Sequence, residues 1–214
     1  MFERKKLNHR FYFNARDRTI ILIDVLGVII LSVVTAYVLS LFISVVLLFQ
    51  FIRLADLHTS HLLVTLFGLL LADFIYYWVH RLHHLVPWLW RLHRLHHSDK
   101  KVDALTGLFH HPLEVCSSFF IAMAMLIIIG VPSSVIRNYA LLLLVNAAYT
   151  HSRLLLPYSI DYFFRLMFVT PKVHRIHHAK EFKLSNTNFG QVLTVWDRLF
   201  GTYSNPRLKE PSFG

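Results

Sequence analysis

The chain has 214 residues, 55% of them hydrophobic and only 16% charged, with 22 Lys and Arg against 12 Asp and Glu for a formal net charge of +10. That balance excludes an ordinary soluble domain. The mean hydropathy of +0.49, with several apolar runs near the roughly 20 residues a spanning helix needs, points to an integral membrane protein. The single cysteine, Cys116, excludes a disulfide framework and a thiolate metal site.

Residues 1–19 are polar and basic, carrying Arg4, Lys5, Lys6, Arg10, Arg16 and Arg18. They read as the cytosolic flank of a first membrane helix. A cleavable signal peptide does not fit, because the apolar run that follows is far longer than an h-region of about 7–15 residues. That run, 20–51, holds one charge, Asp24. As a helix it would be about 48 Å long against about 30 Å of hydrocarbon, so one tilted span with an interfacial or re-entrant tail fits better than two short spans. Residues 62–79 form the next span and complete a first hairpin, 20–79. After a first histidine-rich region, 80–112, come spans 113–129 and 131–149. They make a second hairpin (113–149) through the turn signal Gly130-Val131-Pro132. In the second histidine-rich region, 150–214, residues 159–169 suit a helix lying in the interface, and 186–203 read as a loop or short helix. The whole is a single membrane domain.

Charge tests this topology. With four spans, 1–19, 80–112 and the tail from His151 fall on one side and hold 20 of the 22 Lys and Arg, leaving Arg53 and Arg137 opposite. The positive-inside rule puts the 20 in the cytosol, so the basic excess is explained by topology and not by nucleic acid. The fold expected is all-α: about four transmembrane helices in two hairpins with a cytosolic histidine-rich helical cap, in a cell inner membrane or the endoplasmic reticulum.

The histidines stand in that cap. His80 and His84 are four apart; His93, His96 and His97 form H-x-x-H-H, and His174, His177 and His178 repeat it; His151 follows the last span. Positions i, i+3 and i+4 share a helix face, so each set is expected to aim at a common spot. Imidazole is a common transition-metal ligand, and nine are more than one ion takes, which suggests a two-metal centre at the membrane surface. His83 turns to a different angle and is read as a non-ligand; His9, His58 and His61 have no partners at ligand spacing. His111, followed by Pro112 and Glu114, is a candidate tenth ligand or supporting group. Asp73 lies within a span, where an ionisable side chain calls for a function; a bond accepted from a metal-bound histidine on another helix would supply one.

These strings resemble the fatty acid hydroxylase / sterol desaturase superfamily of membrane-bound di-iron enzymes. The resemblance rests on DFIYYWVHRLHH (73–84), LWRLHRLHHSD (89–99), HPLE (111–114), HSR (151–153), TPKVHRIHH (170–178), and NFG with WDRLFGTY in 188–203. It covers most of the chain, while Phe109-His110 and Ala179 depart from the family's usual arginine and serine. The resemblance implies that His80, His84, His93, His96, His97, His151, His174, His177 and His178 bind two iron ions, which zinc can replace in a purified sample. It also implies O2 as co-substrate and a lipid (sterol, fatty acyl or related) that is hydroxylated or desaturated in an apolar tunnel, with Tyr77, Trp88, Trp90 and Trp196 either lining or sealing it or anchoring the chain at the membrane interface. With no cysteine cluster, dinucleotide loop or fused haem module, electrons must come from a separate cytochrome-type haem protein or a ferredoxin with its reductase. Two other readings stay open: a redox-neutral or inactive metal-binding relative, and a membrane metal transporter or sensor. Transport would place the ligands at mid-membrane.

Overall fold

Ser60 opens the longest helix by accepting a hydrogen bond from Leu63 N (3.3 Å), and α1 then runs through His61–Leu85. This computed structural model describes residues 37, 41, 45, 54, 59–154, 156–206 and 211–213. The expectations for 1–19 and, but for three positions, for the run 20–51 lie outside the described residues. The chain divides into two compact units, Met1–Ser40 and Leu41–Gly214. All the elements below belong to the second.

Among the described residues, α1 alone is long and apolar enough to cross a membrane. The apolar run ends at Val79, but the backbone hydrogen bonds continue to Leu85. Pro87, which restricts the residue before it and lacks an N–H, stops them. His80 and His84 therefore stand one turn apart on the end of the same rod. Pro87 in turn starts α2, Pro87–His93, since proline is favoured at the first helical position. Short 3-10 turns at His96–Ser98 and Thr106–Leu108 follow. Pro112 starts α3, Pro112–Ile128. The tight turn expected at Gly130-Val131-Pro132 joins it to α4, Ser133–His151. At 17 residues α3 is apolar but shorter than a full span.

The remainder is short: α5 (Tyr158–Phe164), α6 (Pro171–His177, again begun by proline), α7 (Phe182–Ser185) and α8 (Val195–Leu199). The described residues hold no strand, only the isolated bridges Phe168–Leu193 and Ala179–Phe213. The interface helix expected at 159–169 is α5 and the turn after it. Its two charged residues, Asp161 and Arg165, are buried and paired at 3.5 Å, while Tyr162, Phe163, Leu166 and Met167 face outward.

Helix α1 is the hub: α2, α3 and α4 all pack on it, and α4 also meets α6 and the Thr106–Leu108 turn. Ala72, Ile75, Tyr77 and Val79 are the buried apolar residues of the middle of α1, and Leu126 of α3 and Val135 and Tyr139 of α4 are buried with them. Leu62, Leu63, Leu66 and Phe67 of α1 and Leu141, Leu144 and Val145 of α4 remain exposed. Apolar surface on that scale marks a face made for something other than water.

Candidate metal centre

The C-terminal ends of α1, α2, α4 and α6, with the 3-10 turn at His96–Ser98, bring nine imidazoles into two adjoining groups. His80, His84, His93, His97 and His177 make one; His96, His151, His174 and His178 make the other. Within each group the ligand nitrogens all lie within 4.8 Å of one another. They are the nine the sequence singles out, sorted differently from the expectation that each motif aims at one spot. The i, i+4 pairs 80/84, 93/97 and 174/178 stay together, while His96 and His177 cross to the other group. On a helix, i+4 is rotated about 40° from i and i+3 about 60° the other way, so each H-x-x-H-H string serves both groups and ties them together. The stacked rings of His97 and His178, 4.6 Å apart, mark the seam.

Hydrogen bonds on the far side of the rings show what the groups can hold. Nδ1 of His80 donates to Phe189 O (2.8 Å), of His96 to Phe109 O (3.2 Å), of His151 to Ala147 O (2.8 Å) and of His177 to Thr187 O (2.9 Å). A carbonyl only accepts, so each of these neutral rings carries its proton on Nδ1 and a lone pair on Nε2. Yet Nε2 of His151 stands 3.1 Å from Nε2 of His96, and 3.0 Å from those of His174 and His178. Across the first group, Nε2 of His97 lies 3.2 Å from that of His93 and 3.1 Å from that of His177. Two lone pairs facing each other, as at His96 and His151, have no proton to share; a cation between them resolves the contact. His84 Nε2, buried without a hydrogen-bond partner, fits the same account, and an all-imidazole donor set suits a first-row transition metal.

Protonation is suppressed as well. Burial first, then the neighbouring imidazoles, holds His93, His96, His97, His174 and His178 well below the ordinary histidine value. Burial takes His177 down to about 4. These rings are neutral, and so competent as ligands, throughout the physiological range.

Glu114 supports the centre: Oε1 accepts from His93 Nδ1 at 2.6 Å, the carboxylate–imidazole pairing that fixes a metal-bound ring. The two other supporting candidates are corrected. His111 is the N-cap of α3, its Nδ1 accepting from Leu113 N (3.1 Å). Its neighbour His110 is the one beside the centre, stacked on His96 with ring centroids 4.0 Å apart. Asp73 reaches none of the nine. Oδ1 accepts from Tyr139 OH (2.6 Å) and Val192 N (3.1 Å), and Oδ2 from Leu193 N (3.1 Å) and Trp196 Nε1 (2.8 Å). It pins the C-terminal loop to α1 and α4, taking two of its donors from the loop backbone at the Phe168–Leu193 bridge. His83, read as a non-ligand, joins neither group; its Nδ1 donates to Val79 O and its Nε2 meets Ser117 Oγ.

That loop is what sequence reasoning missed. Phe189 O and Thr187 O orient His80 and His177, so the centre depends on the 187–197 backbone. Asp197 folds it, accepting from Phe189 N and Gly190 N (both 2.8 Å) and from Thr202 Oγ1 (2.6 Å). Asn188, at φ 57°, donates to Val173 O (3.1 Å). A Cβ at Gly190 would collide with Leu193 O and come within 2.8 Å of Asp197 Oδ2. The signal was present as the NFG and WDRLFGTY strings, each with an Asn or Asp two to four residues before a Gly.

A cavity of about 310 Å³ opens onto the centre between α1, α3 and α4. His80, His93, His96, His151 and His174 wall one end and Val115, Phe119, Leu143 and Leu144 the other. The tryptophans expected to line it do not. Trp88 is on the surface, Trp90 packs on His84 and His97, and Trp196 holds Asp73. Tyr76 lines the cavity and Tyr77 does not, because Tyr77 OH is turned away to Thr202 (3.0 Å).

The family model for fatty acid hydroxylase matches residues 65–202, the stretch that supplies both histidine groups. Ornithine lipid hydroxylase OlsE of Rhizobium tropici is 36% identical over 143 residues, 65% of this chain and 41% of its own length. Human alkylglycerol monooxygenase is 31% identical over 134 residues, 62% of this chain and 28% of its own length. Human cholesterol 25-hydroxylase is 30% identical over 138 residues, 64% and 50% of the two chains. The chain thus spans half or less of the length of these curated relatives. No solved structure matches it.

Proposed function

The chain belongs to the fatty acid hydroxylase family, and from that premise we propose that it is an oxidoreductase that hydroxylates a membrane lipid with O2. The observation that carries this reading is the set of facing Nε2 lone pairs at the end of an apolar cavity. His80, His84, His93, His97 and His177 would hold one iron ion, and His96, His151, His174 and His178 a second. Zinc can take the same imidazoles in a sample purified without iron. A pair of bound irons supplies the reductive activation of O2 and the removal of hydrogen from an unactivated C–H bond.

The protein does the rest. The backbone carbonyls of Phe109, Ala147, Thr187 and Phe189 keep ring protons on Nδ1, and Glu114 does the same for His93. The apolar end of the cavity, opening at Val115 and Leu144 onto the exposed apolar face, lays the chain of the lipid toward the imidazoles. The balance is a lipid C–H, O2, two electrons and two protons giving an alcohol and water. The electrons come from a separate haem protein or ferredoxin. The relatives are named for hydroxylase and monooxygenase activities, which favours hydroxylation over desaturation.

The membrane arrangement belongs to the same reading. With 20–51, α1, α3 and α4 as four spans, the 20 cations and both histidine groups share the cytosolic face. Ligands gathered at a helix end, outside a polar mid-membrane path, speak against transport. Iron-loaded protein given membrane lipid, a reductant and isotopically labelled O2 should yield a lipid alcohol carrying one labelled oxygen. Stoichiometric iron with no O2 consumption on any lipid class would overturn the proposal.

A further inference from the structure

Glu114 is only half used. It is buried, 4% exposed, on the cavity wall where α3 begins. Its Oε1 is taken by His93 Nδ1, and His110 Nε2 stands 3.7 Å from that same oxygen. Oε2 is buried and has no hydrogen-bond partner. Of the other such atoms, His84 Nε2 faces a metal group and Asp161 Oδ2 lies 3.5 Å from Arg165 and 3.9 Å from Lys172. Nδ1 of His174 and of His178 lie on the side of their rings away from the metal group and off the apolar end of the cavity. A buried acceptor with nothing to accept is costly. Its place beside the histidine end of a cavity tells what would satisfy it.

We propose that Glu114 Oε2 anchors the substrate, accepting a hydrogen bond from a hydroxyl or amide N–H that the lipid carries a few bonds from the reacting carbon. The site then selects hydroxyl- or amide-bearing lipids over hydrocarbons, esters and ethers. The donor is neutral, because an ammonium would be repelled by metal ions at the neighbouring histidines. The same carboxylate holds His93, so one side chain sets the position of the lipid relative to the centre, while the apolar lining of Val115, Phe119 and Leu144 takes the alkyl chain. This rests on reading the cavity as the lipid site of the proposed function.

The test compares 1-O-hexadecylglycerol with its 2,3-di-O-methyl ether, two lipids that differ in donors. Affinities are measured on the metal-loaded protein in nanodiscs without reductant, so that nothing turns over. Wild type should bind the diol roughly tenfold or more tightly than the ether, as expected where a buried polar atom otherwise left unpaired gains a hydrogen bond. Glu114→Gln keeps an oxygen for His93 but presents an NH2 donor where Oε2 accepted. Metal content is measured for both proteins and affinities are compared at matched loading, where the preference of the variant should vanish or reverse. A second readout needs no variant: in protein labelled with carbon-13 glutamate, the carboxylate infrared band should shift with the diol and not with the ether. Equal affinities in wild type, a preference that Glu114→Gln retains, or an unmoved carboxylate band would each overturn the anchor and leave the oxidation reading standing. Binding of neither lipid would overturn the anchor and the lipid reading of the cavity together. The expected preference without any oxidation would overturn the oxidation alone.

Discussion

At His96, Nδ1 is committed to Phe109 O and Nε2 is left with a lone pair pointing at another lone pair on His151. The same economy recurs at His80, His151 and His177, and it makes the centre depend on whatever fixes the accepting carbonyls. Asp73 is the residue with most leverage there, although it touches no histidine. Asp73→Ala leaves four donors without an acceptor, at about 1–3 kcal/mol for each that stays buried and unpaired, and releases the loop that carries Phe189 O. A fall in melting temperature together with loss of metal from the five-histidine group is expected, read by thermal unfolding and metal analysis. Unchanged metal content at lowered stability would confine Asp73 to folding. Sequence located Asp73 correctly as a residue needing a reason, and the reason was out of reach because its partners lie more than 60 residues away. His111 misled for a different cause: a histidine before Pro112 can cap a helix as well as bind a metal, and only the direction of its ring decides.

The elements were largely legible from apolar runs and prolines. Helices α1, α3 and α4 stand where 62–79, 113–129 and 131–149 were expected, α1 alone among the described residues being long and apolar enough to span, and the Gly130-Val131-Pro132 turn is where Gly and Pro put it. The end of α1 was not legible, since hydropathy falls at His80 while the helix runs on to Pro87. The split of each H-x-x-H-H string between two groups was equally hidden, because shared-face arguments do not resolve the angular difference between i+3 and i+4. Helix α5 carries the clearest test at this scale. Phe163 is 72% and Met167 62% exposed, and both charges of the segment are turned inward, which suits a surface lying about 5–10 Å into the headgroup boundary. A spin label at Phe163→Cys, with Cys116 replaced by serine, should be relaxed by dissolved O2 and shielded from a water-soluble nickel chelate in nanodiscs. Free access of the chelate would place the segment in water.

For the whole molecule, the buried imidazoles link stability to pH. In the unfolded chain they titrate near 6.5. In the folded, metal-free protein, burial holds His110 and His177 at about 4 and His96 well below its ordinary value. Between those values the unfolded chain binds more protons, so stability is complete above about 6.5 and declines as pH falls through the window. Metal-free protein should therefore melt at a lower temperature at about pH 5 than at about pH 7.5, and a flat or opposite dependence would contradict the burial described. The most direct measurement is iron per chain by mass spectrometry, with X-ray absorption for ligand type. The account predicts about two irons per chain in nitrogen-rich ligation, falling to about one in His151→Ala. A wild-type protein that takes up a single ion, or none, under anaerobic reconstitution would contradict it.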